Sequence, residues 1–196
     1  MSNIDWTASP RTKKEIAALA NAWLDYFDYW NHYVANLPSI LEHDLPDLSP
    51  EYTFHVKNDS DMKGALATTA FDPLRITLSS STYCGLINGD TRCRFTAAHE
   101  LGHFFLHRND KQLHRSSTAL NTKIDARFRS AEWQADTFAS NFLMPEHTAR
   151  IFSSPEDLAQ CCQVSLGAAQ NRLRELGIWP KSKPIPDLSF LDKYRT

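Results

Sequence analysis

A chain of 196 residues is long enough to bury one sizeable core, or one domain with a small appendage. Its hydrophobic share of 42% and charged share of 22% are those of an ordinary soluble globular protein. A net charge of -2 gives no electrostatic ground to expect a nucleic-acid or membrane partner, although a local basic patch can hide in a neutral average.

The four cysteines, Cys84, Cys93, Cys161 and Cys162, form no CxxC pair, and adjacent cysteines rarely bridge each other. The opening "MSNIDWTASPRTKKEIAALA" lacks the apolar core of a secretory signal, and no run reaches transmembrane length. Reduced thiols in a cytoplasmic protein are the expectation.

Taken in chain order, the first strong element is a helix expected from Thr12 to Val34. Thr12 and Glu15 have capping-box spacing, and Ile16, Leu19, Trp23, Phe27, Trp30 and Val34 form one apolar stripe. The aromatics of "WLDYFDYWNHY" are read as core packing rather than as a ligand box. Pro38, Pro46 and Pro50 then punctuate a stretch with one short helix around Ser39 to His43. Three strand-like runs follow, "YTFHV", "GALATTAF" and "RITLSSS", with Asp72-Pro73 as the turn between the last two. "INGDT" is a turn, and "RFTAAHELGHFFLH" reads as a helix. Residues 109 to about 125 are polar and irregular. A second helix is expected from Ser130 to Leu143, ended by Pro145. Ser153 or Ser154 with Pro155 opens a helical part, "SPEDLAQCCQVSLGAAQNRLRELGIW", before a proline-rich tail. The expected division is a main domain over 1–150, a helix-turn-helix-like part over 151–180 and a tail over 181–196.

The stretch HELGH carries the chemistry. His99 and His103 are four apart, so on a helix they lie about 6 Å apart along the axis and on nearly one face. Both imidazoles can reach one ion, as a HExxH zinc site requires, and Glu100 can flank the open side of the metal as general base. The pattern alone arises by chance in roughly one such chain in a hundred, so a third ligand is the test. A catalytic zinc takes three protein ligands and leaves a fourth position to water. A metzincin would have Gly at 106 and His at 109, and this chain has Leu106 and Asn109. A glutamate from a second helix is the remaining arrangement, and "EWQAD" supplies Glu132. Asp136, one turn further, can accept a hydrogen bond from the far nitrogen of a zinc-bound histidine.

The pair "RCRFTAAHELGHFFLHR" and "EWQADTFASNFLMP" resembles the ImmA/IrrE metallopeptidases, whose helices read RxRFTxAHELGHxxLH and ExxANxFAxxLLMP. Arg92, Arg94, Phe95, Thr96, Ala98, His99 to His103, Leu106 and His107 match the first. Glu132, Ala135, Phe138, Ala139, Leu143, Met144 and Pro145 match the second. Asp136 stands where the family has Asn, and Phe142 where it has Leu. The resemblance covers roughly residues 75 to 178.

It implies an α+β, zincin-like fold, with a small antiparallel sheet over the HExxH helix, the glutamate-bearing helix closing the site, and a helical C-terminal part. It also implies an intracellular bacterial or phage zinc endopeptidase whose substrate is a helix-turn-helix repressor encoded nearby. Zinc held by His99, His103 and Glu132 would acidify a water, and Glu100 would take its proton and deliver it to the departing amine. Candidates for an oxyanion donor are Tyr83, His107, His114 and Arg127. His107 is otherwise read as a helix-terminal histidine favoured by the dipole. An exposed edge of the 74–80 strand is expected to hold substrate as an added strand.

Two other readings compete. "LAQCCQVSLGAAQNRLRELG" has the cadence of a DNA-binding helix-turn-helix, but its second helix offers few base-reading groups and presents Ala168, Leu173 and Leu176 as a packing face. A zinc sensor or binding regulator without peptidase activity would keep the fold, but it has no need of Glu100 and would close all four metal positions.

Overall fold

The computed structural model describes residues 6–109, 114–115 and 130–178, the side chains of 6–7 and 114–115 excepted. The expected oxyanion candidate Arg127, the side chain of His114 and the tail 181–196 lie outside the described residues.

Helix α1 (Lys13–Tyr26) starts at the expected capping box. The Thr12 side chain accepts from the Glu15 amide, while the Glu15 carboxylate accepts from the Thr12 amide at 2.7 Å. It ends earlier than the apolar stripe predicts. Asp28 adopts a left-handed φ of 59°, and the Tyr29 amide donates back to the Leu24 carbonyl at 2.7 Å, which closes the last turn. A glycine would have announced this stop, whereas an aspartate does not. Trp30 therefore leaves the helix and stacks on His147, with ring centroids 4.0 Å apart. Ile16, Leu19, Trp23 and Phe27 pack as core, whereas Val34 lies beyond the helix, and Trp23 stacks on Phe105 at 4.1 Å. The proline-punctuated stretch is helical from Leu37–Ser39 through a wider π turn, Ile40–Asp44, to Leu45–Leu48.

The sheet has three strands in the order β2 (Thr53–Lys57), β4 (Leu74–Ser79), β3 (Ala67–Phe71). The Asp72-Pro73 turn makes β3 and β4 an antiparallel hairpin, with Phe71 opposite Leu74. β4 then lies parallel to β2, with Thr53 opposite Arg75, so the sheet is mixed rather than wholly antiparallel. β4 is the central strand, and Ile76 and Leu78 are fully buried. The expected free edge at 74–80 is thus not there, because β2 and β3 take both of its sides. A two-residue ladder pairs β1 (Trp6–Thr7) with β5 (His114–Arg115).

The run "RITLSSS" is strand only as far as its first serine, Ser79. Ser79 ends β4 and caps helix α2 (Ser80–Ile87) by accepting from the Thr82 amide at 3.2 Å. Asp90 caps the next helix, α3 (Thr91–His107), accepting from the amides of Arg92 and Cys93. Helix α4 (Ala131–Leu143) is capped by Ser130, which accepts from the Trp133 amide at 3.0 Å.

α3 and α4 pack side by side, with Leu101 and Phe104 on one and Phe138 and Phe142 on the other in a single core. That core continues through Leu158 and Leu173 of the C-terminal helices α5 (Pro155–Cys162) and α6 (Leu166–Glu175). α6 is fastened from inside, because buried Arg172 donates to the Met144 carbonyl at 2.9 Å and to Asn141 Oδ1 at 2.8 Å. The architecture is α+β, a small sheet and a mainly helical body. No helix among the described residues is long and apolar enough to cross a membrane.

Candidate metal centre and active site

α3 presents His99 and His103 on its inner side, and α4 brings Glu132 to meet them. The Nε2 atoms of the histidines are 3.0 Å apart. His99 Nε2 lies 3.3 Å from Glu132 Oε2, and His103 Nε2 lies 3.5 Å from Glu132 Oε1. Ligands bound at zinc's usual lengths in a tetrahedral shell lie about 3.3 Å from one another. The two nitrogens and the carboxylate therefore already form the triangular face of such a shell. Nitrogen and carboxylate donors are also the set that zinc takes in catalytic sites. The residues fit the group.

The electrostatics agree with the geometry. Burial opposes a charge on His99, but hydrogen bonds to the carboxylates of Asp136 and Glu132 outweigh it and hold the imidazole pKa up to about 10. Hydrogen bonds from His103 and His99 hold the Glu132 carboxyl far below the ordinary carboxylate range. The cluster favours positive charge at its centre.

Each histidine is oriented from behind. His99 Nδ1 is 2.8 Å from Asp136 Oδ1, the position expected for Asp136 from its spacing. Only a protonated Nδ1 can donate there, so when His99 gives up its Nε2 proton to bind a metal, Nδ1 keeps its own and Nε2 is the nitrogen that turns to the ion. His103 Nδ1 instead meets His107 Nδ1 at 3.2 Å, and His107 Nε2 meets Gln134 Oε1 at 3.1 Å. His107 is 1% exposed, so it is not a solvated helix-end histidine, and it lines the floor of the cleft next to His103. The carbonyl of Leu106 at that helix end is served by Arg11, at 2.8 Å.

Glu100, only 7% exposed, lies on the side of α3 that faces β3. Its carboxylate accepts from the Thr69 hydroxyl at 2.6 Å, and its own carbonyl oxygen is 3.2 Å from the same hydroxyl. One hydroxyl proton serves one acceptor best, and the shorter, charged contact takes it. A cleft of about 430 Å³ opens over these groups, lined by Thr69 and Phe71 of β3 together with His99, Glu100, His103 and Glu132.

Tyr83 is not part of it. Its phenol, on α2, donates to Glu42 at 2.6 Å and its ring lies against Phe54, so the expected oxyanion role has no geometric basis. Thr69 and Gln134 were missed in the sequence. Thr69 lies some thirty positions from the residue it holds and carries no local signal. Gln134 stands two residues after Glu132, inside the second motif at a position the family pattern leaves open.

A HExxH helix, a glutamate on the facing helix and a sheet strand beside the cleft define a zincin-type metallopeptidase. Residues 86–174 match the family model of the IrrE N-terminal-like domain, a metallopeptidase family, in agreement with the resemblance of the two helix motifs to the ImmA/IrrE metallopeptidases. No curated protein matches the chain.

Proposed function

We propose that the chain is a cytoplasmic zinc endopeptidase that cuts one specific protein, of the helix-turn-helix repressor class. The observation that carries the reading is the Glu100 carboxylate, buried in the cleft beside the three-ligand cluster and held there by Thr69. A purely structural zinc site closes its coordination with four protein ligands and has no use for such a group.

His99, His103 and Glu132 would hold the ion, which when bound supplies Lewis acidity and makes a water easy to deprotonate near neutral pH. Glu100 takes the proton of the attacking water as general base and returns it to the departing amine nitrogen. Thr69 fixes which carboxylate oxygen faces the water. The edge that supports substrate binding is that of β3, since Ala67, Thr68 and Phe71 line the cleft. A substrate segment laid along this edge would be extended and held by main-chain hydrogen bonds. A folded repressor must therefore expose a loop or hinge to be cut.

The inward course of Arg172 supports a packing role for α6 over base reading, because one of the two arginines in that helix is used inside the core. The test is co-expression of the wild type and Glu100→Gln with any helix-turn-helix repressor encoded beside the gene, followed by the repressor's length on a gel. Shortening by the wild type alone is expected. An intact repressor with both, in cells loaded with zinc, would remove this substrate class from the reading.

A further inference from the structure

The Ser9 carbonyl lies at the far end of a chain of hydrogen bonds that ends at the metal position. A carbonyl only accepts, so Gln134 must turn its amide nitrogen toward Ser9, at 2.9 Å. That leaves Gln134 Oε1 facing His107 Nε2 at 3.1 Å, and an oxygen there requires a proton on Nε2. A neutral His107 protonated on Nε2 has a bare Nδ1, which can accept from His103 Nδ1 at 3.2 Å. With its proton on Nδ1, His103 directs Nε2 toward Glu132 and His99, where a metal would replace the proton that Nε2 shares with them. With a metal on His103 Nε2, each nitrogen and oxygen along these contacts meets a partner of the right kind.

We infer that His107 and Gln134 are positioning residues that fix the ring and tautomer of His103 for metal binding and anchor it to the N-terminal segment at Ser9. The inference rests on the metal-centre reading above. It separates the two histidines by the character of their supports. His99 leans on a half-exposed carboxylate, whereas His103 leans on the buried imidazole of His107 and, through it, on the buried carboxamide of Gln134. Gln134 is 0% exposed and His107 1%, so no water competes for these contacts. The segment that supplies the anchor is itself fastened, because Ala8 is buried and Arg11 donates to the Leu106 carbonyl at the end of α3. The N-terminal residues thereby reach the metal ligand without touching it. Supports of this kind typically change metal affinity by about 10- to 100-fold when removed.

The first test is made on the full-length wild type loaded with zinc and labelled with nitrogen-15 in its histidines. A long-range proton–nitrogen spectrum should show His103 protonated on Nδ1 and His107 protonated on Nε2. A proton on Nδ1 of His107 would overturn the relay, and this measurement needs no variant to fold. The second test titrates Co2+ against a chelator. His107→Phe and Gln134→Met should bind Co2+ roughly ten-fold or more weakly and alter its visible spectrum. Gln134→Glu should hold it within about threefold of the wild type, since a carboxylate still accepts from His107 Nε2. A merely structural Gln134 predicts the reverse order, because a buried carboxylate facing the Ser9 carbonyl damages packing more than Met does. Wild-type-like affinity in both His107→Phe and Gln134→Met would sink the relay alone, whereas failure of the wild type to bind Co2+ would sink the metal-centre reading with it.

Discussion

Gly102 of α3 faces Ala135 of α4 so closely that a Cβ on residue 102 would lie 2.9 Å from the Ala135 Cα and 3.0 Å from its carbonyl oxygen. The same Cβ would lie 3.2 Å from Phe138 Cβ. This is the crossing at which the helix of His99 and His103 touches the helix of Glu132, one residue before His103 and three after Glu132. The glycine in HELGH is there for the approach of the helices, and the approach sets the distance from Glu132 to the histidines.

Gly102→Ala should therefore cost metal binding. Alanine favours an isolated helix over glycine by about 1 kcal/mol, but overpacking a tight contact costs about 1–3 kcal/mol, and here the obstacle is backbone that cannot rotate away. The expected outcome is a melting temperature no higher than that of the wild type, with Co2+ affinity reduced roughly ten-fold or more as α4 is pushed outward. Unchanged affinity would show that the α3–α4 spacing does not set the ligand triangle.

Thr69 holds Glu100 from the sheet edge, and its removal separates the proposed base from its support without touching the proposed ligands. Thr69→Val keeps the volume and loses the hydroxyl. A hydrogen bond to a charged group is worth about 1.5–3 kcal/mol, so kcat for repressor cleavage should fall by roughly ten-fold or more while bound zinc stays at the wild-type level. Thr69→Ser should restore most of the rate. A Thr69→Val enzyme as fast as the wild type would mean that Glu100 orients itself.

The ligand set separates from the base in the same assays. Glu100→Gln should keep its zinc and lose roughly 10²–10⁴-fold in cleavage, the usual contribution of a positioned general base. His103→Ala and Glu132→Ala should lose both zinc and cleavage. Tight zinc binding by either of those two variants would break the assignment of the cluster.

How much of this was legible in the chain depends on the range of each interaction. His99, Glu100 and His103 share one helix, so their relation follows from four-residue spacing alone. Glu132 and Asp136 required the requirement for a third ligand plus a second helix, and the structure places both against the histidines. Thr69 could not be found this way, because β3 meets α3 only through tertiary packing. The free edge was misplaced by one strand for the same reason. Alternating Ile76 and Leu78 identify a strand but not its neighbours, and strand order puts β4 in the middle. Helix α2 was missed although its serine cap stood in plain view, since "RITLSSS" reads as one continuous strand until Ser79 is recognised as a cap.

Cys162 gives a pH test away from the metal centre. The thiol is fully buried on α5, and burial, reinforced by neighbouring Cys161, pushes its pKa up to about 12 against the opposing pull of Arg94. A free thiol titrates near 8.5, so the unfolded chain ionises first as pH rises. Below that value both states hold the proton and the contribution to stability is complete. Between there and 12 the unfolded state alone gains charge, and stability falls by about 1.4 kcal/mol per pH unit. Burial likewise raises the Tyr52 phenol, which adds to the loss at the alkaline end. Urea midpoints measured at pH 8, 9.5 and 10.5 should decline in the wild type and decline less steeply in Cys162→Ala, whatever the cavity costs at pH 8. Equal slopes would mean that the thiol ionises as readily in the folded protein as out of it, and that α5 does not seal it from water.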